Sequence, residues 1–376
     1  MLNVSERGIQ YEFVEYGKEF EPEENVLVLD VGLKTLPGVI DHHHPQAEPE
    51  CTASLIVKYP RLVTDHLRET FFSDENQALK IITHRLPDFD AVASIFLAIK
   101  LIELREIDSY MKKIAHYTKM ADSATIPKEI DLSYTPYSIL RSLFNDISRK
   151  YKSKGSTSKA HLRGEEIVNL ERVKEGLKFI NFLYLRAKEG YEIIENRLLF
   201  SGVYRYEQAM RKVSDDYFNY LADIQSNQKI ILSLPLTSGT PSTRGSSRGF
   251  TPRGKKVDGL IVRNPKSFLL KEWAKRDFRN TKFKKGFSFL LTNFWNKRYI
   301  LGVDPECGVN LKGLGDLLNQ KEEQRRKELE KSFSSKWYDG NCPFFNFRII
   351  DSPKQGTALT HQEVVQTVLD FSRQFE

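Results

Sequence analysis

LKIITHRLPDFDAVASIFLAIKLIELREI, residues 79–107, is the stretch on which the fold turns. Residues 79–84 are rich in isoleucine and threonine and stop at His84, which suits a short buried strand. AVASIFLAIKLIELREI, residues 91–107, has helical length and an apolar stripe. Asp88 and Asp90 stand where that helix begins, the end at which the macrodipole favours carboxylates. Two earlier runs share the character of the first: residues 26–31, VLVLDV, where the apolar stretch ends at Asp30, and residues 38–41, GVID, which ends at Asp41. Short β-branched runs bounded by polar turns are expected to be buried parallel strands. In open α/β sheets ligands gather beyond the carboxyl ends of the strands. The reading is therefore an α/β fold with a mostly parallel sheet, flanking helices and three strands that each finish on a metal-ligand type of residue.

Further along, Glu165–Arg186 and Tyr206–Gln225 carry helical patterning within a mostly helical region, 135–226, broken by the polar segment KSKGSTSK at 152–159. Strands are expected at 229–236, 257–262, 287–295, 298–303 and 345–351, with helices near 313–333 and 361–374. The length of 376 residues suits two domains. We place them at 1–226, the ligand-rich α/β part with a helical extension, and at 227–376, a strand-rich α/β part. A Gly-, Ser-, Thr-, Pro- and Arg-rich flexible loop is expected at 237–256. Within it Gly249–Lys255 has the G-x4-G-K spacing of a phosphate loop, but Lys256 follows where Ser or Thr is needed, and a strand follows where a helix is needed.

Composition narrows the function. No run of eighteen apolar residues marks a membrane span, and the N-terminus lacks the basic-then-apolar pattern of a secretory signal. Three widely spaced cysteines, Cys51, Cys307 and Cys342, make neither a disulfide framework nor a zinc motif, so a reducing cytoplasm is expected. The net charge of +7 is uneven: residues 244–298 hold 16 Lys and Arg against Asp258, Glu272 and Asp277. Such a division suits a protein that binds polyanions with one part and metal cations with the other.

The chemistry-bearing residues form two constellations. In the first, His84, Asp88 and Asp90 fall within seven residues at a strand-to-helix turn. Two carboxylates and an imidazole suit Mn, Mg or Zn, with manganese the best fit; a plain helix cap by Asp88 or Asp90 is the alternative. In the second, Asp41-His42-His43-His44 stops at Pro45. Five of the eight histidines lie at positions 42–44, 66 and 84.

Together these residues resemble the DHH phosphoesterases, a superfamily of exonucleases, oligonucleotide RNases, cyclic-dinucleotide phosphodiesterases and exopolyphosphatases. His84, Asp88, Asp90 and Ala91 match its H-x3-D-x-D-A motif. Asp30 matches its strand-closing Asp, and Asp41, His42 and His43 match the name-giving triplet. Asp122 is the candidate for a later single Asp, with Asp108 as fallback. The resemblance covers roughly residues 24–125. Here Asp30 and the triplet precede His84, an inverted order. His44 extends the histidine run, and the glycine-rich substrate motif of many family nucleases is missing. The resemblance implies that Asp30, His42, His84, Asp88, Asp90 and Asp122 hold two divalent cations. It further implies that His43 meets the phosphate or protonates the leaving group, and that Asp41 orients its neighbouring imidazole.

The second half supplies candidates for substrate contact. Residues 263–298 interleave basic and aromatic side chains, which suits single-stranded nucleic acid. Phe287, Phe289 and Leu291 are better read as core; Arg276, Arg279, Lys282, Lys284 and Lys285 are the candidates for phosphate. The turn Asp351–Thr357 either holds a phosphate through Lys354, Thr357 and backbone N–H groups or is a plain exit from a strand. The expected activity is metal-dependent hydrolysis of oligonucleotides or single-stranded nucleic acid. A small polyanion as substrate, or a nucleic-acid-binding subunit serving an ATPase or nuclease, are the alternatives. A homodimer is a further expectation.

Overall fold

Aliphatic runs too short for a helix build a five-stranded sheet in the first part of the chain. The structure is a computed structural model that describes residues 8–67, 78–152, 158–194, 196–237, 254–295, 297–330 and 335–376. Its strands are β1 (Ile9–Val14), β2 (Val26–Leu29), β3 (Thr35–Leu36), β4 (Val39–Ile40) and β5 (Leu79–His84), in spatial order β1-β5-β2-β4-β3. The pairings β1–β5, β5–β2 and β2–β4 are parallel, and only β3 runs antiparallel, on β4. β2 is buried throughout, as a central parallel strand must be. Val26, Val28, Val39 and Ile82 pack together with Val14 and Val31 into a core cluster. β1, IQYEFV, was missing from the sequence reading; it lies at the sheet edge and is only partly buried, so polar residues interrupt its pattern.

Around this sheet stand α1 (Thr52–Lys58), α2 (Arg61–Thr64), α3 (Phe89–Leu104), α4 (Ser109–Asp122), α5 (Pro136–Lys152), α6 (Ser158–Lys188) and α7 (Tyr204–Ser226). The expected helix at 91–107 is α3, begun two residues earlier by its cap: the Asp88 side chain accepts from the Ala91 amide at 3.1 Å. α3 and α6 pack closely where Gly176 faces Val92; a Cβ there would stand 2.6 Å from a Val92 methyl. Much of the expected break at 152–159 lies outside the described residues.

A second sheet holds β6 (Gln228–Leu234), β7 (Lys255–Arg263), β8 (Phe289–Phe294), β9 (Arg298–Val303) and β10 (Ile349–Asp351), ordered β10-β9-β8-β7-β6. Only β7–β8 is parallel, so this sheet is mixed. Side chains alternate between its faces. Phe289 and Leu291 join one core with α9 (Leu314–Glu328) and α10 (His361–Arg373). Leu290 joins another, with Leu270 and Ala274 of α8 (Leu270–Ala274) and Tyr220 of α7. Phe287 is core as expected, but in the second of these clusters.

The chain divides into two units, Met1–Ser214 with Cys342–Phe344, and Asp215–Asn341 with Phe345–Glu376. The division falls inside α7, whereas the boundary expected at 226/227 lies at the end of that helix. Of the expected loop 237–256, residues 238–253 lie outside the described residues, and Lys255 and Lys256 already belong to β7. Among the described residues no helix is long and apolar enough to cross a membrane. All three cysteines are buried, with no disulfide among them.

Candidate metal centre

The strand register sets three ligand-type residues in a row. Val28 pairs with Ile82 and Leu29 with Ile40. Continuing these registers by one or two residues brings Asp30 alongside both His84 and Asp41. Asp30 ends β2 in the left-handed region (φ 62°), which aspartate tolerates better than most residues. The three strand ends therefore converge despite their inverted order in the chain, because β5 inserts between β1 and β2.

His84 Nε2 lies 3.2 Å from Asp30 Oδ2 and 3.8 Å from Asp88 Oδ1. His42 Nδ1 lies 3.5 Å from Asp30 Oδ1 and 3.7 Å from Asp90 Oδ2, and its Nε2 lies 3.4 Å from Asp122 Oδ2. His43 Nδ1 is 2.7 Å from Asp41 Oδ1 and 3.7 Å from Asp30 Oδ1. Three sets each offer ligand atoms within 4.8 Å of one another: Asp30, Asp41, His42 and His43; Asp30, His84 and Asp88; His42, Asp90 and Asp122. These buried groups can hold a metal ion, and the donor chemistry fits one. Carboxylates outnumber imidazoles, and Asp30, Asp41, His42, His84 and Asp90 are each no more than 1 % exposed. Crowded carboxylates at that depth are costly unless a cation or protons intervene.

Neighbouring groups fix the cluster. Asp90 accepts from the Thr52 and Ala53 amides at 2.8 and 3.0 Å, so the start of α1 faces its carboxylate. The Thr52 hydroxyl donates to Asp30 Oδ1 at 3.1 Å and lies 3.1 Å from His42 Nδ1. Asp41 accepts from the Leu33 amide at 2.7 Å and from the His43 amide at 3.1 Å. The Tyr16 ring stacks on His84 at 4.4 Å and meets His43 edge-on at 5.6 Å. Thr52 and Tyr16 were missed in the sequence. A hydroxyl heading the apolar run ASLIV, just after the histidines, was the available signal for Thr52; nothing local sets Tyr16 apart.

The geometry bears on two assignments that the sequence leaves open. His44 lies outside these sets, 3.2 Å from the Thr35 hydroxyl, so the histidine pair that joins is His42 and His43. Asp108 instead caps α4, accepting from the Met111 amide at 2.7 Å and from the Tyr184 hydroxyl, and Asp122 takes the place by the cluster. Asp88 both caps α3 and faces His84, so its cap does not exclude a ligand role.

Electrostatics follow from crowding. Burial, with Asp88 adding to it, raises Asp30, and burial together with Asp30 raises Asp90 well above the usual carboxylate range. Burial works against charge on His84, yet hydrogen bonds to Asp30 and Asp88 override it and lift it to about 10. Burial and the neighbouring His43 keep His42 neutral, its pKa well below the ordinary value. The metal-free cluster therefore carries protons at pH 7 that ligation must displace, since ligating imidazole is neutral and ligating carboxylate ionised. Because the raised groups are protonated below their pKa, cation affinity is expected to increase as pH rises. Titration calorimetry with Mn2+ at pH 7, in buffers of different ionisation enthalpy, should register release of at least about one proton per site. Heats independent of buffer would contradict this.

In the second unit Arg279, Lys282, Lys284 and Lys285 are exposed, as phosphate contacts require. Their loop is pinned from beneath: Asp258, 5 % exposed, accepts from the Lys282 and Phe283 amides, both at 2.8 Å. Phe278 and Phe283 are 44 % and 37 % exposed. Two expectations are corrected. Arg276 is turned inward, its side chain 9 % exposed and paired with buried Glu272 at 3.4 Å. Thr357 is 4 % exposed and its hydroxyl donates to buried Glu322, which also accepts from Arg326 Nε at 2.7 Å and the Ala358 amide at 2.9 Å. The Gly356 and Thr357 amides bond to Pro353 and Lys297 carbonyls, so the turn after β10 is a strand exit and not a phosphate cradle. Lys354 beside it is half-buried.

Comparison with protein-family models, with curated proteins and with solved structures gives no match to this chain.

Proposed function

We propose that the chain is a divalent-metal-dependent phosphodiester hydrolase acting on oligonucleotides or single-stranded nucleic acid. One observation carries the reading: the sets Asp30–His84–Asp88 and His42–Asp90–Asp122 adjoin, with His42 Nδ1 3.5 Å from Asp30. That is a donor arrangement for two cations sharing Asp30, and its residues are those that match the DHH motifs. Manganese suits the mixture of carboxylate and imidazole best. Two cations bound there would offset phosphate charge and make water a nucleophile at neutral pH.

The chain's own groups supply the rest. Asp41 holds Nδ1 of His43, which leaves Nε2 as the nitrogen able to meet a substrate. Burial opposes charge on His43, but Asp41 overrides it and lifts the imidazole to about 9, while His43 in turn holds Asp41 well below the usual carboxylate range. His43 is thus protonated at neutral pH and can give its proton to the departing oxygen. In the second unit, the exposed loop with Arg279, Lys282, Lys284 and Lys285 beside Phe278 and Phe283 combines phosphate contacts with stacking surfaces, which favours a nucleic acid over a small polyanion.

The test is hydrolysis of a labelled single-stranded oligonucleotide with Mn2+ and with EDTA, beside a duplex of the same sequence. Cleavage that needs metal and prefers the single strand is expected. Cleavage undiminished by EDTA would sink the reading.

A further inference from the structure

We propose that a cavity between α5, α6 and the start of α7 binds a nucleoside monophosphate, distinct from the metal centre. All of its lining residues lie in the first unit, and none belongs to the three ligand sets. The proposal goes beyond the hydrolase reading and does not depend on it.

Helical spacing builds the cavity. On α6, Glu171, Lys174, Glu175 and Lys178 stand at i, i+3, i+4 and i+7 and so share one face. The same spacing recurs in the lining on α5 from Leu143 to Lys150 and on α7 from Arg205 to Lys212. Two contacts draw these faces together. Lys212 Nζ lies 2.6 Å from Asp146 Oδ2, which ties α7 to α5, and the Tyr206 ring meets that of Phe179 edge-on at 5.3 Å, which ties α7 to α6. The space between them is about 300 Å³, at the lower end of the ~300–1,000 Å³ typical of small-molecule sites.

Its floor and rim differ in character. Leu143, Ala209 and Glu175 are buried at the floor, and Lys150, Lys174, Lys178 and Lys212 are exposed around it. Glu175 is 6 % exposed. Its Oε2 lies 2.7 Å from Arg205 Nη2, while its Oε1 is buried and has no hydrogen-bond partner among the described residues. A buried acceptor without a donor is a cost that an N–H from a ligand removes.

Charge selects the rest of the ligand. Asp146 pairs with Lys212, Glu171 with Lys174 and Glu175 with Arg205, and Lys150 and Lys178 bring the lining to +2. A polyamine would meet a rim of its own sign, and an amino acid brings no net charge. A phosphate monoester carries about −1.5 to −2 at pH 7, which matches. A nucleobase supplies the N–H on its Watson–Crick edge and a flat apolar body for the wall of Leu143, Ile147 and Ala209.

The experiment is titration calorimetry of the whole chain, in EDTA, with AMP, GMP, CMP and UMP, with the matching nucleosides and with ribose 5-phosphate. At least one mononucleotide is expected to bind about tenfold or more tighter than both its nucleoside and ribose 5-phosphate. Glu175→Met should abolish the advantage over ribose 5-phosphate, and Lys178→Glu the advantage over the nucleoside. The methionine removes an unsatisfied buried acceptor and leaves Arg205, whose side chain is 56 % exposed, to water, so the variant should fold. Circular dichroism melts check this, and Lys178→Glu, at an exposed position, keeps the test open if it does not. A wild type that binds no mononucleotide tighter than both fragments, or a folded variant that keeps its advantage, overturns the proposal. Turnover plays no part in this readout, so failure of the hydrolase reading leaves it standing.

Discussion

Asp30→Ala is expected to strip the protein of bound Mn2+ and to lower kcat/KM by about 10^3-fold or more. Asp30 is the one residue common to the Asp30–His84–Asp88 set and to the set containing Asp41, His42 and His43, and it also faces His42 of the Asp90–Asp122 pair. Its loss would remove a carboxylate from two of the three ligand sets and the one beside His42 from the third. Metal clamps contribute several kcal/mol of transition-state stabilisation, and at one decade per 1.4 kcal/mol a loss of about 4 kcal/mol is about 10^3-fold. The alanine also takes the Asp30 carboxylate away from the Thr52 hydroxyl and from His84 Nε2, so Asp30→Asn, of equal size, separates ligation from packing. Metal content by plasma emission and rates across a Mn2+ titration decide the matter. An asparagine variant with full metal and full activity would remove Asp30 from the site.

His43→Asn should behave differently. It is expected to keep its metal and lose about 10^2–10^4-fold in kcat, the range for a positioned proton donor. Burial lowers and Asp41 raises the His43 pKa, and the net effect is an imidazole protonated up to about pH 9. A raised pKa means that the active, protonated form is present at neutral pH and is lost as pH climbs through that value. The wild-type kcat profile should therefore fall on the alkaline side, and the limb should be absent in the variant. Asp41→Asn should cost less, about 10–100-fold, because that carboxylate acts through His43. Equal loss of metal and rate in His43→Asn would make His43 a ligand instead of an acid.

Much of this site could be read in the sequence, because parallel strands announce themselves as short aliphatic runs and the residue that closes each run lies at the ligand-binding end. Asp30, Asp41 and His84 were legible for that reason, and their adjacency follows from the register of β2 with β4 and β5. What charge and spacing do not disclose is the buried partner. Arg276 read as a surface cation until Glu272 claimed it, and Thr357 read as a phosphate contact until Glu322, 35 residues away, accepted its hydroxyl. Thr52 and Tyr16 reach the site through tertiary folding alone. The division between the units lies inside α7, which runs through it without any change of composition to mark it.

The spatial order β1-β5-β2-β4-β3 has a consequence for biosynthesis. β1 and β2 leave the ribosome early, yet neither can pair with the other, because the strand that joins them is β5, residues 79–84. Until β5 emerges, the nascent chain holds unpaired aliphatic strand edges, and the closing pairings are non-local and slow. Asp122, the last residue of the cluster in chain order, must be translated before the cluster can close. Any cation held there would therefore be captured late in the life of the growing chain, and a ribosome stalled before residue 122 would display the aspartates and histidines without the cluster they form.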